Sequence, residues 1–140
     1  MKSYLLVAIQ FGLLGFLVWY GGTIKEIIPV IFWFAGGLLG VWAIFVMRFR
    51  VSVLPEVRKN QNFIVVGPYH VVRHPMYTAV LLVGLACVLY RTDIFSVGAW
   101  LVLLTDLVVK LRYEEGLLRE KFPGYSAYAT RTWRLVPWLY

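Results

Sequence analysis

Long runs of apolar residues, separated by short polar clusters, dominate the chain from one end to the other. A transmembrane helix needs roughly 17 to 25 predominantly apolar residues at a rise of about 1.5 Å each. Tyr4 to Tyr20 meets this and is interrupted only by Gln10, and Ile27 to Met47 contains no charge. Met76 to Tyr90 and Ile94 to Val109 are shorter, and between them lies only Arg91-Thr92-Asp93. That spacing predicts a tight antiparallel helical hairpin, whose short helices span if they start at the interface or the bilayer thins locally. After Val109 the pattern becomes amphipathic and charged up to Phe122, where Pro123-Gly124 stops it. A shorter segment follows over Tyr125 to Thr132, and then Trp133, Arg134 and Trp138, a mixture suited to the headgroup layer. The expected fold is an all-α integral membrane protein with four transmembrane helices, a short helical hairpin and a cytoplasmic C-terminal amphipathic helix. Residues 1–140 read as one membrane domain, with two spans in 1–54 and the motif-bearing region in 55–140.

The positive charges fall unevenly on this pattern. Four spans place Lys2, Arg48, Arg50, Arg58, Lys59, Arg73, Lys110, Arg112, Arg119, Lys121, Arg131 and Arg134 on one side, and only Lys25 and Arg91 on the other. The positive-inside rule makes the rich side cytoplasmic, together with both termini. The net charge of +7 is thereby explained without nucleic acid, and no basic stripe with interleaved aromatics tracks a phosphate backbone. Composition agrees with lipid as the solvent. Only 15% of residues are charged, against about a quarter in a soluble domain. The first apolar run lacks a small-residue cleavage pattern after Trp19-Tyr20, so it reads as a span and not as a removed signal. A single cysteine, Cys87, lies inside an apolar run and excludes an internal disulfide.

Two polar clusters remain, both at the cytoplasmic ends of spans. In the first, Gly67-Pro68-Tyr69-His70-Val71-Val72-Arg73-His74-Pro75-Met76-Tyr77, both histidines precede a helix whose first turn accommodates Pro75. The free N–H groups of such a turn, with Arg73 and His74 beside them, can seat an anion. An ordinary interfacial helix start has the same composition. The second cluster is Glu114-Glu115. Leu107, Leu111, Glu115, Leu118 and Phe122 form a stripe at helical spacing, which places Glu115 on the buried face and Glu114 on the flank beside Lys110. An inward carboxylate needs partners, which Arg73, His74 or a ligand can supply. The plainer alternative pairs Lys110 with Glu114 and Glu115 with Arg119 at i,i+4, and it accounts poorly for Glu115. Asp106 reads most simply as a further i,i+4 partner of Lys110. His70 and His74 have metal-ligand spacing, but Pro75 ends any helix before it, and no metal site is expected. No serine or cysteine nucleophile accompanies the histidines, so a hydrolytic triad has no support.

Taken in order, Gly67-Pro68-Tyr69, Arg73-His74-Pro75, Tyr77, Glu114-Glu115, Phe122, Tyr125, Tyr128, Arg131 and Val136-Pro137 resemble the isoprenylcysteine carboxyl methyltransferase and phospholipid methyltransferase group of membrane enzymes. The resemblance covers Pro55 to Pro137, while the first two spans match only in being hydrophobic. It implies methyl transfer from S-adenosylmethionine to a lipophilic acceptor, either a prenylated cysteine carboxylate or a lipid headgroup amine, with carboxyl O-methylation as the nearer analogy. Gly67, Tyr69, Arg73, His74, Pro75, Tyr77, Glu114 and Glu115 would bind the cofactor. Tyr128, Arg131 and Arg134 would face the acceptor, with Glu115 and Arg131 as the catalytic pair. These residue types suit the chemistry: the cofactor's ammonium wants a carboxylate, and its sulfonium is attracted by tyrosine faces. Ala79 stands where the group commonly has glycine. A chain of four spans further implies that part of the acceptor pocket is absent or comes from a second copy, and Gly36 and Gly40 have the spacing for close helix pairing within one chain or in a homodimer. Rival readings are a non-catalytic membrane or lipid-binding protein, a steroid-reductase-like oxidoreductase, which needs more cytosolic surface, and a transporter, which needs ionisable groups along a path through the bilayer.

Overall fold

The computed structural model describes residues 2–23, 25–47 and 64–140, with backbone only at residues 2 and 3. Pro55 and the basic residues Arg48, Arg50, Arg58 and Lys59 lie outside the described residues. Five α-helices follow one another: α1 (Lys2–Gly21), α2 (Ile27–Val46), α3 (Pro75–Tyr90), α4 (Ile94–Lys121) and α5 (Tyr125–Ala129), with a 3-10 turn over Gly67–His70 before α3. Among the described residues there is no strand, only an isolated parallel bridge between Val72 and Trp133. The chain is an all-α membrane protein.

Among the described residues three helices, α1, α2 and α4, are long and apolar enough to cross a bilayer, and α3 is a shorter apolar helix of 16 residues. At about 1.5 Å per residue α3 is some 24 Å long, short of the roughly 30 Å hydrocarbon core. Helix α4 has 28 residues and so reaches about 42 Å, far enough to carry Glu114 and Glu115 beyond its apolar part.

The packing inverts the rule for soluble helices. On α2 the buried residues are Pro29, Gly36 and Ala43, seven apart, whereas Ile28, Ile31, Phe34, Leu38 and Phe45 are exposed. Large side chains therefore face lipid, and a stripe of small ones lets α2 lie against α3. At Gly36 a Cβ would come within 2.8 Å of the Ala79 carbonyl oxygen, and at Gly40 one would only touch the Ala79 methyl at 3.4 Å. The close-packing pair noted in the sequence is thus used inside this chain. Helix α1 lies against α3 and α4, and Leu17, Leu81, Val88, Leu103, Leu107 and Leu111 from these helices form the core.

The α3–α4 hairpin is closed as the sequence predicts. Asp93 caps α4 by accepting from the N–H groups of Phe95 and Ser96 at 2.9 and 3.0 Å. Arg91 pins this turn to the end of α1, donating to the Tyr20 carbonyl at 3.1 Å and lying 4.0 Å above the Tyr20 ring. The start of α1, the end of α2, the start of α3 and the charged end of α4 consequently share the opposite end of the bundle. Both polar clusters lie there.

Candidate active site

Local geometry brings the motif before α3 under the C-terminal segment. Gly67 has φ +62°, and a Cβ there would lie 2.7 Å from Val46 Cγ2 at the end of α2. Glycine therefore serves both the left-handed turn and the close approach. Pro68 and Tyr69 are buried in the 3-10 turn, and Pro75 opens α3 at its first position. Residues 71–74 then pair with 133–134 in strand-like fashion: Trp133 N–H donates to Val71 O at 3.0 Å, Arg73 N–H to Trp133 O at 2.7 Å and His74 N–H to Arg134 O at 3.1 Å. Thr78 adds a bond to the Leu135 carbonyl at 2.8 Å, and Tyr128 donates to the Tyr69 carbonyl. The final segment is thereby clamped over the start of α3.

Glu115 is the hub of this clamp. It is 2% exposed and takes Arg73 Nε at 2.9 Å on one oxygen, and Arg134 Nε at 3.2 Å with Arg119 at 3.4 Å on the other. Arg73 also donates to the carbonyls of Ala129 and Thr132. Its guanidinium, which the sequence offers both as a donor beside an anion seat and as a partner for Glu115, is engaged with Glu115 and these carbonyls.

Glu114 lies on the flank of the stripe, as its spacing predicts, with its side chain 20% exposed, yet it is not without partners. The two do diverge around the helix, but α3 and the C-terminal segment flank α4 on both sides, so each finds partners. Tyr77 Oη donates to Glu114 at 2.7 Å, and His74 Nδ1 lies 3.6 Å from its other oxygen. His74 Nε2 is 3.5 Å from Glu115. That nitrogen is buried and has no hydrogen-bond partner among the described residues. The His74 and Tyr77 rings are stacked, 5.4 Å between centroids. Lys110, expected to pair with Glu114 or Asp106, is 1% exposed and donates instead to Gln10 on α1.

Burial lifts the phenols that line this end of the bundle. Tyr69 and Tyr125 are pushed well above the usual tyrosine range, chiefly by desolvation, and Tyr128 is raised to about 12 by the same cause. These hydroxyls stay neutral donors at any physiological pH. For Arg134 burial works against the charge, but the Glu115 carboxylate outweighs it and raises the pKa.

The structure thus gathers Gly67, Tyr69, Arg73, His74, Pro75, Tyr77, Glu114, Glu115, Tyr128 and Arg134 at one end of the bundle. Arg131 is different: it is exposed, and no hydrogen bond or ion pair ties its side chain to the cluster among the described residues. His70 is exposed at the end of the 3-10 turn. Sequence reasoning missed Gln10, although an amide inside an apolar span is itself a signal of an internal partner. It also missed the burial of Lys110, whose position next to a charged run reads as interfacial.

A multi-helix membrane fold with a buried cluster of ionisable side chains at one end of the bundle defines the class, that of all-α membrane proteins with an internal polar site. A family model described as phospholipid methyltransferase matches residues 24–124, and the chain belongs to that family. The chain is 34% identical over 103 residues to the cobalt-zinc-cadmium resistance protein CzcN of Cupriavidus metallidurans, covering 72% of this chain and 47% of the relative. It is 34% identical over 105 residues to the nickel-cobalt-cadmium resistance protein NccN of Alcaligenes xylosoxydans xylosoxydans, covering 72% and 48%. The chain spans about half the length of these curated relatives. No solved structure matches it.

Proposed function

We propose that this chain is an S-adenosylmethionine-dependent membrane methyltransferase that holds its cofactor against Glu114, Tyr77 and His74. The observation that carries this reading is the convergence of those three side chains: Tyr77 Oη holds Glu114 at 2.7 Å, and the buried His74 ring lies between the carboxylates, Nδ1 3.6 Å from Glu114 and Nε2 3.5 Å from Glu115. When bound, S-adenosylmethionine supplies a methyl group on a sulfonium, ready for in-line transfer.

The donor set fits that molecule. Glu114 keeps acceptor capacity after its bond to Tyr77 and can take the ammonium of an amino-acid end. Tyr77 and Tyr69 offer aromatic surface to a cationic sulfur or a flat base. Glu115, committed to its arginines, holds the start of α3 and the C-terminal segment in register around the site. Methyl transfer to a nucleophile held in line depends mainly on positioning, which can contribute about 7 to 11 kcal/mol.

The acceptor is a lipophilic molecule arriving from the bilayer on the side that, by its excess of basic residues, is cytoplasmic. An exposed Arg131 outside the cluster supports an acceptor carboxylate, as in a prenylated cysteine, because a guanidinium binds carboxylates bidentately. The family match supports a lipid headgroup amine as the second reading. For that acceptor Glu114 would receive the proton released on methylation.

The test is calorimetric titration of S-adenosylmethionine into the detergent-purified protein, beside Glu114→Gln and His74→Ala variants of unchanged melting behaviour. Saturable binding to the parent, weakened about tenfold or more in both variants, is expected from the loss of a charge-assisted bond. A folded parent that ignores the cofactor with and without added lipid overturns the proposal. Extracting lipids after incubation with cofactor labelled in its methyl group then identifies the acceptor.

A further inference from the structure

Beneath the site, α4 carries Asp106, Lys110 and Glu114 at successive intervals of four residues, so that one ionisable group follows another along one face of the helix. Two of the three are nearly sealed from solvent: Asp106 is 6% exposed and Lys110 1%. Both carboxylate oxygens of Asp106 are buried, with no hydrogen-bond partner among the described residues. Lys110 does not close on either neighbour. Its Nζ donates to Gln10 Oε1 and lies 5.4 Å from the centre of the Tyr77 ring, the same tyrosine whose hydroxyl holds Glu114 at 2.7 Å.

Two carboxyl groups thus flank a single amine along this face. The nearby arginines are engaged elsewhere, because Arg73, Arg119 and Arg134 converge on Glu115. Glu114, its side chain 20% exposed, is the most accessible of the three, so a cation that reaches the row meets it first. A cation arriving there repels Lys110, and one turn further in Asp106 waits without a donor. A lysine side chain has the reach and rotational freedom to swing across one helical turn.

We infer that Lys110 is the resident counter-ion of Glu114 and that Asp106 is the seat to which Lys110 withdraws when a ligand's ammonium occupies Glu114. This rests on the reading that Glu114 receives the ammonium of S-adenosylmethionine. Lys110 and Asp106 are then positioning residues that set affinity and select for a cationic group, and Gln10 holds the lysine between its two carboxylates. The arrangement makes an unusual pair of demands: removing Lys110 helps the ligand, and removing the charge of Asp106 hinders it.

Those opposite signs are the test. Cofactor affinity is measured by calorimetry on the detergent-purified full chain, for the parent and for Lys110→Met, Asp106→Asn and the double variant, with melting temperatures recorded alongside. Lys110→Met is expected to tighten S-adenosylmethionine binding and Asp106→Asn to weaken it, each by about fivefold or more. In the Lys110→Met background Asp106→Asn should have no further effect, since no lysine remains to relocate. A merely structural role would weaken binding in every variant.

A second measurement needs no variant. With lysine side chains labelled with 15N, the Nζ resonance of Lys110 is expected to shift on saturation with S-adenosylmethionine or S-adenosylhomocysteine, which both carry the ammonium, and to stay in place with methylthioadenosine, which lacks it. A parent that binds the cofactor while the Lys110 resonance stays fixed, or variants whose affinities all fall or do not change, overturn the inference and leave the proposed function standing. A parent with no cofactor binding removes both.

Discussion

Arg73 and Glu115 are 42 residues apart in the chain, and Arg73 Nε meets Glu115 Oε1 at 2.9 Å with both side chains more than nine-tenths buried. The bond joins the motif before α3 to the charged end of α4. Because the same arginine also holds the carbonyls of Ala129 and Thr132, it joins the C-terminal segment as well. Three pieces of chain therefore meet on one arginine.

Removing one half of that pair leaves a buried charge without compensation. Glu115→Ala is expected to cost about 3 to 5 kcal/mol, the range for breaking a buried pair. Replacing both partners, Arg73→Met with Glu115→Met, should recover much of the loss, since Arg119 and Arg134, which also lose Glu115, are 50% and 31% exposed and can turn to water. The measurement is reversible unfolding in detergent followed by circular dichroism. A double variant no more stable than Glu115→Ala alone would sink the account.

How much of this was visible in the sequence depends on the range of the interaction. The apolar helices, the tight hairpin turn and the inward face of Glu115 follow from periodicity and from signals within a few residues, and the structure has them, with three helices long enough to span and α3 shorter. What the sequence could not supply is what depends on pairing between distant segments. The strand-like contact of residues 71–74 with 133–134 has no local signature, and that contact decides that Arg73 spends its donors on the protein. The spacing places Glu114 on the flank of α4, but its bond to Tyr77 depends on α3, which the periodicity of α4 alone does not bring in. Gln10 and Lys110 are 100 residues apart, and only tertiary structure makes them partners.

The crossing of α2 and α3 depends on one glycine in particular. At Gly36 a Cβ would meet a backbone oxygen at 2.8 Å, which cannot rotate away, and at Gly37 it would meet nothing within 4 Å. Gly36→Ala should therefore force the helices apart and destabilise the fold by about 1 to 3 kcal/mol. Gly37→Ala should be neutral or stabilise slightly through helix propensity. Thermal unfolding of the two variants side by side gives the answer. Equal effects would mean that the helices do not cross here.

Alkaline pH should loosen the C-terminal clamp. Tyr128 donates its hydroxyl to the Tyr69 carbonyl, and burial raises its pKa to about 12, against about 10 in an unfolded chain. The folded state thus holds this proton more tightly than the unfolded one. Its contribution to stability is complete below about pH 10 and is lost as the pH climbs to about 12. Tyr128→Phe removes the donor and should flatten that part of the profile. Melting temperatures of parent and variant across the alkaline range test this, and parallel profiles would dismiss Tyr128 as the titrating group.

Arg131 offers a way to separate the two acceptor chemistries, because it is exposed and outside the ion-pair cluster. Its replacement by alanine should leave stability within about 0.5 kcal/mol of the parent, as for surface substitutions generally. Cofactor affinity should also be unchanged, since no contact links this side chain to Glu114, Tyr77 or His74 among the described residues. If the acceptor is a carboxylate held by the guanidinium, Arg131→Ala should raise the acceptor KM by about tenfold or more, with Arg131→Lys recovering only part because it loses the bidentate fork. If the acceptor is an amine, loss of a nearby positive charge should leave KM unchanged or lower it. Steady-state methyl transfer to a prenylcysteine analogue and to an amine-headgroup lipid, each with parent and variants, distinguishes the cases. Changed cofactor affinity in Arg131→Ala would instead move this residue into the cofactor seat and overturn its assignment to the acceptor.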